Sequence, residues 1–305
     1  MKIVKLAIYS LIFISFIYLI FNLNSSINNL SLVLVNFFKS LFPYLFIFLI
    51  INQLLIKTNL ISLLGYFLQF FLYPIFKINA KTIVLLLLSL INGFPSSVLY
   101  SSIMIKENKI NKKSTHTIAS IFFLPSFTFI FYLIKNNLSF PYFLIFILSL
   151  YLPCFILLLI NRNKSQDKYI NFKQIKTDLI NSFNSFNYIN DLKNIFLNSI
   201  LTLINILGMI SFYSILTLII PINLIKGLFE FSMPSLNILN GNNTEIIKSL
   251  LLLIILVFSS FSSISQALVY LQDISLSTSL FIKKRIELLS LSLFIFSILL
   301  YLYFL

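Results

Sequence analysis

The sequence predicts an all-α polytopic membrane protein made of two related halves, each with a broken or re-entrant helical hairpin. Three observations lead there. Residues 4–21, 32–56, 118–134, 138–160, 195–220 and 288–305 are apolar runs that approach or exceed the ~20 residues a helix needs to cross a hydrocarbon core. The 305-residue chain is 59% hydrophobic and 10% charged, with a mean hydropathy of +1.00, which excludes an ordinary soluble domain. The runs lack the period-two alternation of a barrel with a polar lumen, so the spans are helices.

Residues 1–30 are expected to form an N-terminal transmembrane helix. Lys2 and Lys5 give it the basic start of a signal peptide, but its apolar run is long and no small-residue cleavage site follows, so it reads as retained. Residues 31–160 form the first membrane half, 161–192 a basic cytoplasmic linker and 193–305 the second half. The first half has a long span, a Gly-led aromatic stretch at 64–69 and a Leu-rich half-helix at 85–91. A break at Asn92, Gly93, Phe94, Pro95, Ser96 and Ser97 follows, then a second half-helix, a cationic group (Lys106, Lys109, Lys112, Lys113) and a final span. The second half repeats the order: span 195–220, Gly-led stretch 226–231, half-helix 250–258, a Ser-rich break at 259–266, cations Lys283, Lys284 and Arg285, and span 288–305. Order of features rather than identity carries the repeat.

The 22 Lys and Arg residues give a formal charge of +14. They gather beside spans, as orientation signals do, and such clusters attract anionic lipid headgroups. Nucleic acid is therefore not an expected partner. If residues 82–105 form a re-entrant hairpin, its half-helices of about 10 residues, rising 1.5 Å per residue, each reach only halfway across the membrane. Lys81 and the 106–113 cluster then both lie inside. A matching hairpin in the second half gives an inverted repeat, yet leaves Lys283, Lys284 and Arg285 outside, against the positive-inside rule. A full crossing there puts them inside and removes the inversion.

Lipid offers no partner for freed backbone groups, so broken helices persist only where buried in protein or lining a wet cavity. Two matched breaks point to a binding site. The candidate substrate-binding residues are Gly93, Pro95, Ser96 and Ser97 at the first break and Ser262, Ser263, Ser265 and Gln266 at the second. The bland alternative is a kink whose backbone is satisfied by neighbouring helices, with serines bonded to their own backbone. Glu230 is a candidate for ion coupling; an interfacial pair with Lys226, four residues earlier, competes. Asp273 closes the second hairpin and is expected to cap it or meet water, and Lys39 to snorkel. His116, the sole histidine, and Cys154, the sole cysteine, make neither a metal site nor a disulfide. No nucleophile elbow, phosphate loop or His-rich helix is present, so no catalytic residues, metal or cofactor are expected.

The order of an "LFP" helix, a Gly-Phe-Pro break, a basic segment, a Pro-containing span, "GLFE" and a Ser-rich break ending in Gln resembles the YlbJ-type sporulation integral membrane proteins. These belong to the nucleoside-recognition, or Gate, domain group, which is similar to concentrative nucleoside transporters. The resemblance runs from about Phe42 to the C-terminus, leaving the loop 162–193 unmatched. The family's Gly-aromatic-Pro turn falls on Gly93, Phe94 and Pro95, without the basic residue that usually follows; Leu99 and Tyr100 stand there. Its second break, of two glycines, a Ser, a His and a Gln, falls on 259–266, with serines for the glycines and Ile264 for the His. Its Asn-Ser-Pro element falls on Leu124, Pro125 and Ser126, without the Asn. These departures imply a less polar lumen and argue against ionic substrates.

The resemblance implies a role in spore cortex or envelope formation, in a multi-pass cell membrane or forespore-associated membrane. The expected function is a transporter or permease-like protein for a small polar solute. The alternative is a non-transporting scaffold for envelope assembly. Expected partners are the lipid bilayer, a small solute, and further copies of the chain or spore-envelope proteins.

Overall fold

A computed structural model describes residues 13, 14, 16–135, 137–162 and 167–305, and among them every regular element is helical. Most of the predicted first span, with Lys2 and Lys5, lies outside the described residues. The first half contains α1 (Leu23–Asn36), a π-helical turn (Phe37–Leu41), α2 (Phe42–Lys57), α3 (Ser62–Phe76), α4 (Ala80–Asn92), α5 (Ser96–Lys106), α6 (Lys112–Ile121), α7 (Phe127–Lys135) and α8 (Phe140–Ile160). The remainder contains α9 (Phe172–Ser185), α10 (Tyr188–Leu218), α11 (Asn223–Phe229), α12 (Ser232–Asn240), α13 (Glu245–Phe258), α14 (Phe261–Leu271) and α15 (Thr278–Phe304).

Four helical stretches are long and apolar enough to cross a membrane: Phe140–Ile160, Tyr188–Leu218, Glu245–Leu271 and Thr278–Phe304. The number reaches six only if each of two bent pairs is one span: Leu23–Lys39 with Phe42–Lys57, bent by 48°, and Ser62–Phe76 with Ala80–Asn92, bent by 97°. The protein is accordingly of multi-pass membrane type. The run 118–134 is not one span, because the chain leaves helical geometry between α6 and α7 around Pro125, which has no N–H to give to a helical ladder.

The Leu-rich half-helices predicted at 85–91 and 250–258 are the buried centres of the two halves. Leu85, Leu86 and Leu88 of α4, and Leu252, Leu253 and Leu256 of α13, are at most 3% exposed. In each half the Gly-led stretch packs on that half-helix. A Cβ on Gly65 of α3 would lie 2.2 Å from the Ala80 carbonyl oxygen, and one on Gly227 of α11 2.3 Å from Ile255 Cδ1. A close-packed glycine stands at the corresponding place of each Gly-led stretch.

Most charges collect at one end of the molecule. Lys57 pairs with Glu107 and Asp191, Lys106 with Asp273 at 2.8 Å, and Lys81 with Asp178 at 2.6 Å. Asp167, just before α9, accepts from the Asn79 N–H (3.3 Å) and Thr82 Oγ1 (2.6 Å) at the start of α4, and from Ser114 Oγ (3.0 Å) on α6. The chain thus enters α4 and leaves α5 at the same charged end, so α4 and α5 form a hairpin with Gly93 at its tip.

The second break differs. Glu245, at the start of α13, accepts from the Ser139 N–H and Oγ at the start of α8. The 21 residues of α8, rising 1.5 Å each, place that point about 30 Å from the charged end. Asp273, just past α14, accepts from Ser102 Oγ and pairs with Lys106 at the charged end. Glu245–Leu271 therefore passes from one end to the other, and the second hairpin expected for an inverted repeat is replaced by a kinked span. The linker is also not a plain loop: it contains α9, held by Asp167 and by Asn59 Nδ2 on Ser182 Oγ (2.6 Å), and α10 starts at Tyr188, before the expected boundary at 193.

Candidate functional site

The two predicted breaks meet, and a third break joins them. Gly93 closes the hairpin tip with φ +71°, a conformation only glycine adopts freely; a Cβ there would lie 2.1 Å from the Ser126 nitrogen. The first break is therefore seated on the interruption between α6 and α7. From the other side, Ser259 Oγ donates to the Phe123 carbonyl at 2.8 Å. Phe123 is the hub: its ring lies 5.0 Å from that of Phe94 and 5.2 Å from that of Phe281, and Phe94 lies 5.2 Å from Phe231.

Arg285, grouped from sequence with the orientation charges Lys283 and Lys284, is fully buried at this junction. Its Nη1 donates to the Ser120 carbonyl (3.0 Å) and the Ile121 carbonyl (3.3 Å) in the last turn of α6. Its Nη2 donates to the Val257 carbonyl in the last turn of α13, and to Ser259 Oγ at 2.6 Å. The guanidinium also stands 5.8 Å from the centre of the Phe123 ring. The ion pairs among the described residues do not include it. Two helix C-termini replace a carboxylate. Each carries about half a negative charge on carbonyls with no intrahelical partner, so together they balance one cation.

That arrangement explains a serine where a glycine would be easier. Ser259 ends α13 in the left-handed region, φ 72° and ψ 43°, a conformation that costs an L-residue about 1–2 kcal/mol. Its hydroxyl accepts from Arg285 and donates to Phe123, tying α13, α15 and the α6–α7 break together. The sequence does hold a signal for Arg285: it shares one helical stripe with Phe281, Leu288, Ser292 and Phe296, all buried, whereas Lys283 points to the exposed side.

Most candidate hydroxyls are spent nearby. Ser97 Oγ donates to the Ala119 carbonyl at 3.1 Å, Ser263 shares a 3.2 Å contact with the Ser260 hydroxyl, and Ser265 meets the Tyr213 hydroxyl at 2.7 Å. Gln266 Nε2 reaches only Ser262 Oγ, at 3.5 Å. Ser96 and Pro95 begin α5, which packs on α14 through Val98, Ile264 and Ala267. Two buried polar atoms remain without a partner beside the junction: Asn92 Oδ1, an acceptor, and Arg285 Nε, a donor.

Glu230 is 2% exposed and makes no ion pair with Lys226. It caps α12 instead, accepting from the Ser232 N–H and hydroxyl and from the Met233 N–H. The interfacial i,i+4 pair with Lys226 therefore does not describe it. His116 contacts the Ile274 carbonyl, and no group of three His, Cys, Asp or Glu residues suited to a metal occurs among the described residues. Comparison with protein-family models, with curated proteins and with solved structures returned no significant match.

Proposed function

We propose that this chain is a permease-like membrane protein for a small, uncharged polar solute, with the junction of the three breaks as its solute site. The observation that carries the reading is the leftover acceptor and donor there, Asn92 Oδ1 and Arg285 Nε. Native interiors leave few such groups unpaired, and each calls for an explanation. A solute offering one donor and one acceptor supplies it. An anion is disfavoured, because the other nitrogens of Arg285 are committed to helix ends. The charged end faces the cytoplasm on this reading, which puts Lys57, Lys81 and Lys106 inside, as the positive-inside rule asks. Spore cortex or envelope formation is the setting that the YlbJ-type resemblance implies.

A second reading, a non-transporting scaffold, is favoured by the aromatic packing of Phe94, Phe123, Phe231 and Phe281 and by the locally satisfied serines. One experiment separates the two. In a Cys154→Ser background, single cysteines replace Ser97 and Ser263, and a membrane-impermeant thiol reagent is added from each side. Both sites are buried, so labelling reports excursions to a wet, open state; we expect it at both positions. Protection of both from either side, in folded and inserted protein, would overturn the permease and favour the scaffold.

A further inference from the structure

The charged end carries an aromatic surface that neither reading of the junction uses. The α3 helix is bent 97° from α4, the arm of the hairpin that enters the molecule from that end. It therefore lies across the end rather than along the spans. The α9 helix lies against it in antiparallel order: Asn59 bonds to Ser182, the Tyr66 ring lies 5.5 Å from Phe172, and Gln69 Nε2 donates to the Ile170 carbonyl at 3.0 Å. The Lys81–Asp178 pair fixes α9 to α4.

Three phenylalanines of α3, Phe67, Phe70 and Phe71, are 66–70% exposed. On α9, Phe172, Ile180 and Phe183 are about half exposed. At 3.6 residues per turn these three share an arc of about 100° with Lys173 and Lys176, both exposed. The polar Gln174, Thr177, Asn181 and Asn184 fall on another face, and buried Ile175 points to the protein. A large apolar patch is not left to water, and an amphipathic helix of this kind lies in a bilayer surface, with Lys173 and Lys176 covering the apolar arc with their stems while their ammonium groups snorkel to the headgroups.

We propose that α3 and α9 form an antiparallel pair lying in the membrane interface, with the aromatic face entering the acyl boundary and Lys173 and Lys176 holding anionic lipid headgroups. Charge complementarity selects the anionic leaflet. The surface is separate from the junction, and it stands whether or not the junction passes a solute.

The chain has no tryptophan, so Phe183→Trp and, separately, Phe67→Trp each give a single fluorescent reporter in the full-length protein. The variants are reconstituted in phosphatidylcholine vesicles with and without phosphatidylglycerol. We expect strong quenching by lipids brominated near the headgroup end of the chain and weak quenching by aqueous iodide. In the Phe183→Trp variant, energy transfer from the indole to labelled phosphatidylglycerol should exceed that to labelled phosphatidylcholine. Adding Lys173→Gln and Lys176→Gln should lower that preference about fivefold per charge removed, with the depth of the indole unchanged. Quenching by iodide instead of bromolipid, or by neither, would mean that water or another protein covers the face and would overturn the proposal. Equal transfer to both lipids would overturn its anionic part.

Discussion

At the scale of single residues, Arg285 holds more of the structure together than any candidate named from sequence. Its two terminal nitrogens satisfy three backbone carbonyls from two helices and one hydroxyl. Replacing it with Met of similar length leaves the Ser120 carbonyl buried without a donor and the Ile121 and Val257 carbonyls with only the Cys154 thiol at 3.7 Å and the Ser259 hydroxyl at 3.3 Å, and each lost partner costs about 1–3 kcal/mol. We expect R285M to lose about 3 kcal/mol or more of stability, read as a lowered melting temperature in detergent. R285K should recover only part of this, because an ammonium cannot fork between two helix ends as a planar guanidinium does. Wild-type melting in R285M would show that the carbonyls find other partners and that Arg285 is not the cap.

At the scale of elements, the hairpin depends on the linker that follows α8. Asp167 is 8% exposed and ties the start of α4 to α6, the helix that follows the hairpin. Burial pushes its carboxyl above the ordinary carboxylate range, against the pull of the hydrogen bonds from Thr82, the Asn79 N–H and Ser114. An unfolded Asp titrates at about 3.9, so between there and the higher folded value the docked state binds more protons than the undocked one. Docking is then strongest at low pH and weakens as the pH rises through the folded value. Hydrogen-exchange protection of residues 167–171, corrected for intrinsic rates, should fall as the pH rises from about 4, and Asp167→Asn should flatten the profile. Protection that rises with pH, or an unchanged slope in the variant, would contradict this. The half-helices and the Gly93 break are legible in the sequence because hydrophobic runs and Gly-Pro chemistry are local. The Asp167 contacts are not, since they join residues 53–88 positions apart. Arg285 is easily misread, because a Lys-Lys-Arg run resembles an orientation signal until its helical stripe is considered.

At the scale of the whole molecule, the two parts of the chain share details of packing and differ in topology. Gly65 packs against α4 and Gly227 against α13, and in both parts the long span reaches the tyrosine of the later half-helix: Asn52 Nδ2 donates to the Tyr100 hydroxyl at 3.1 Å, and Thr202 Oγ1 lies 3.2 Å from that of Tyr270. The halves part at their breaks. A hairpin needs the chain to reverse, and Gly93 with Pro95 provides that. At Ser259 and Ser260 the backbone departs from helix for only two residues before α14 resumes, so the chain continues to the far end. This difference also resolves the charge conflict met in the sequence, because a full crossing brings Lys283 and Lys284 to the end that holds the other cations. Single cysteines in a Cys154→Ser background at Asn243, before α13, and Ser275, after α14, provide the test, since both positions are exposed. An impermeant thiol reagent should label them from opposite sides of the membrane, with Ser275 on the same side as a cysteine at Asn108. Labelling of both from one side would restore the second hairpin and with it the inverted repeat, and the contacts of Glu245 with Ser139 and of Asp273 with Lys106 could not then both form.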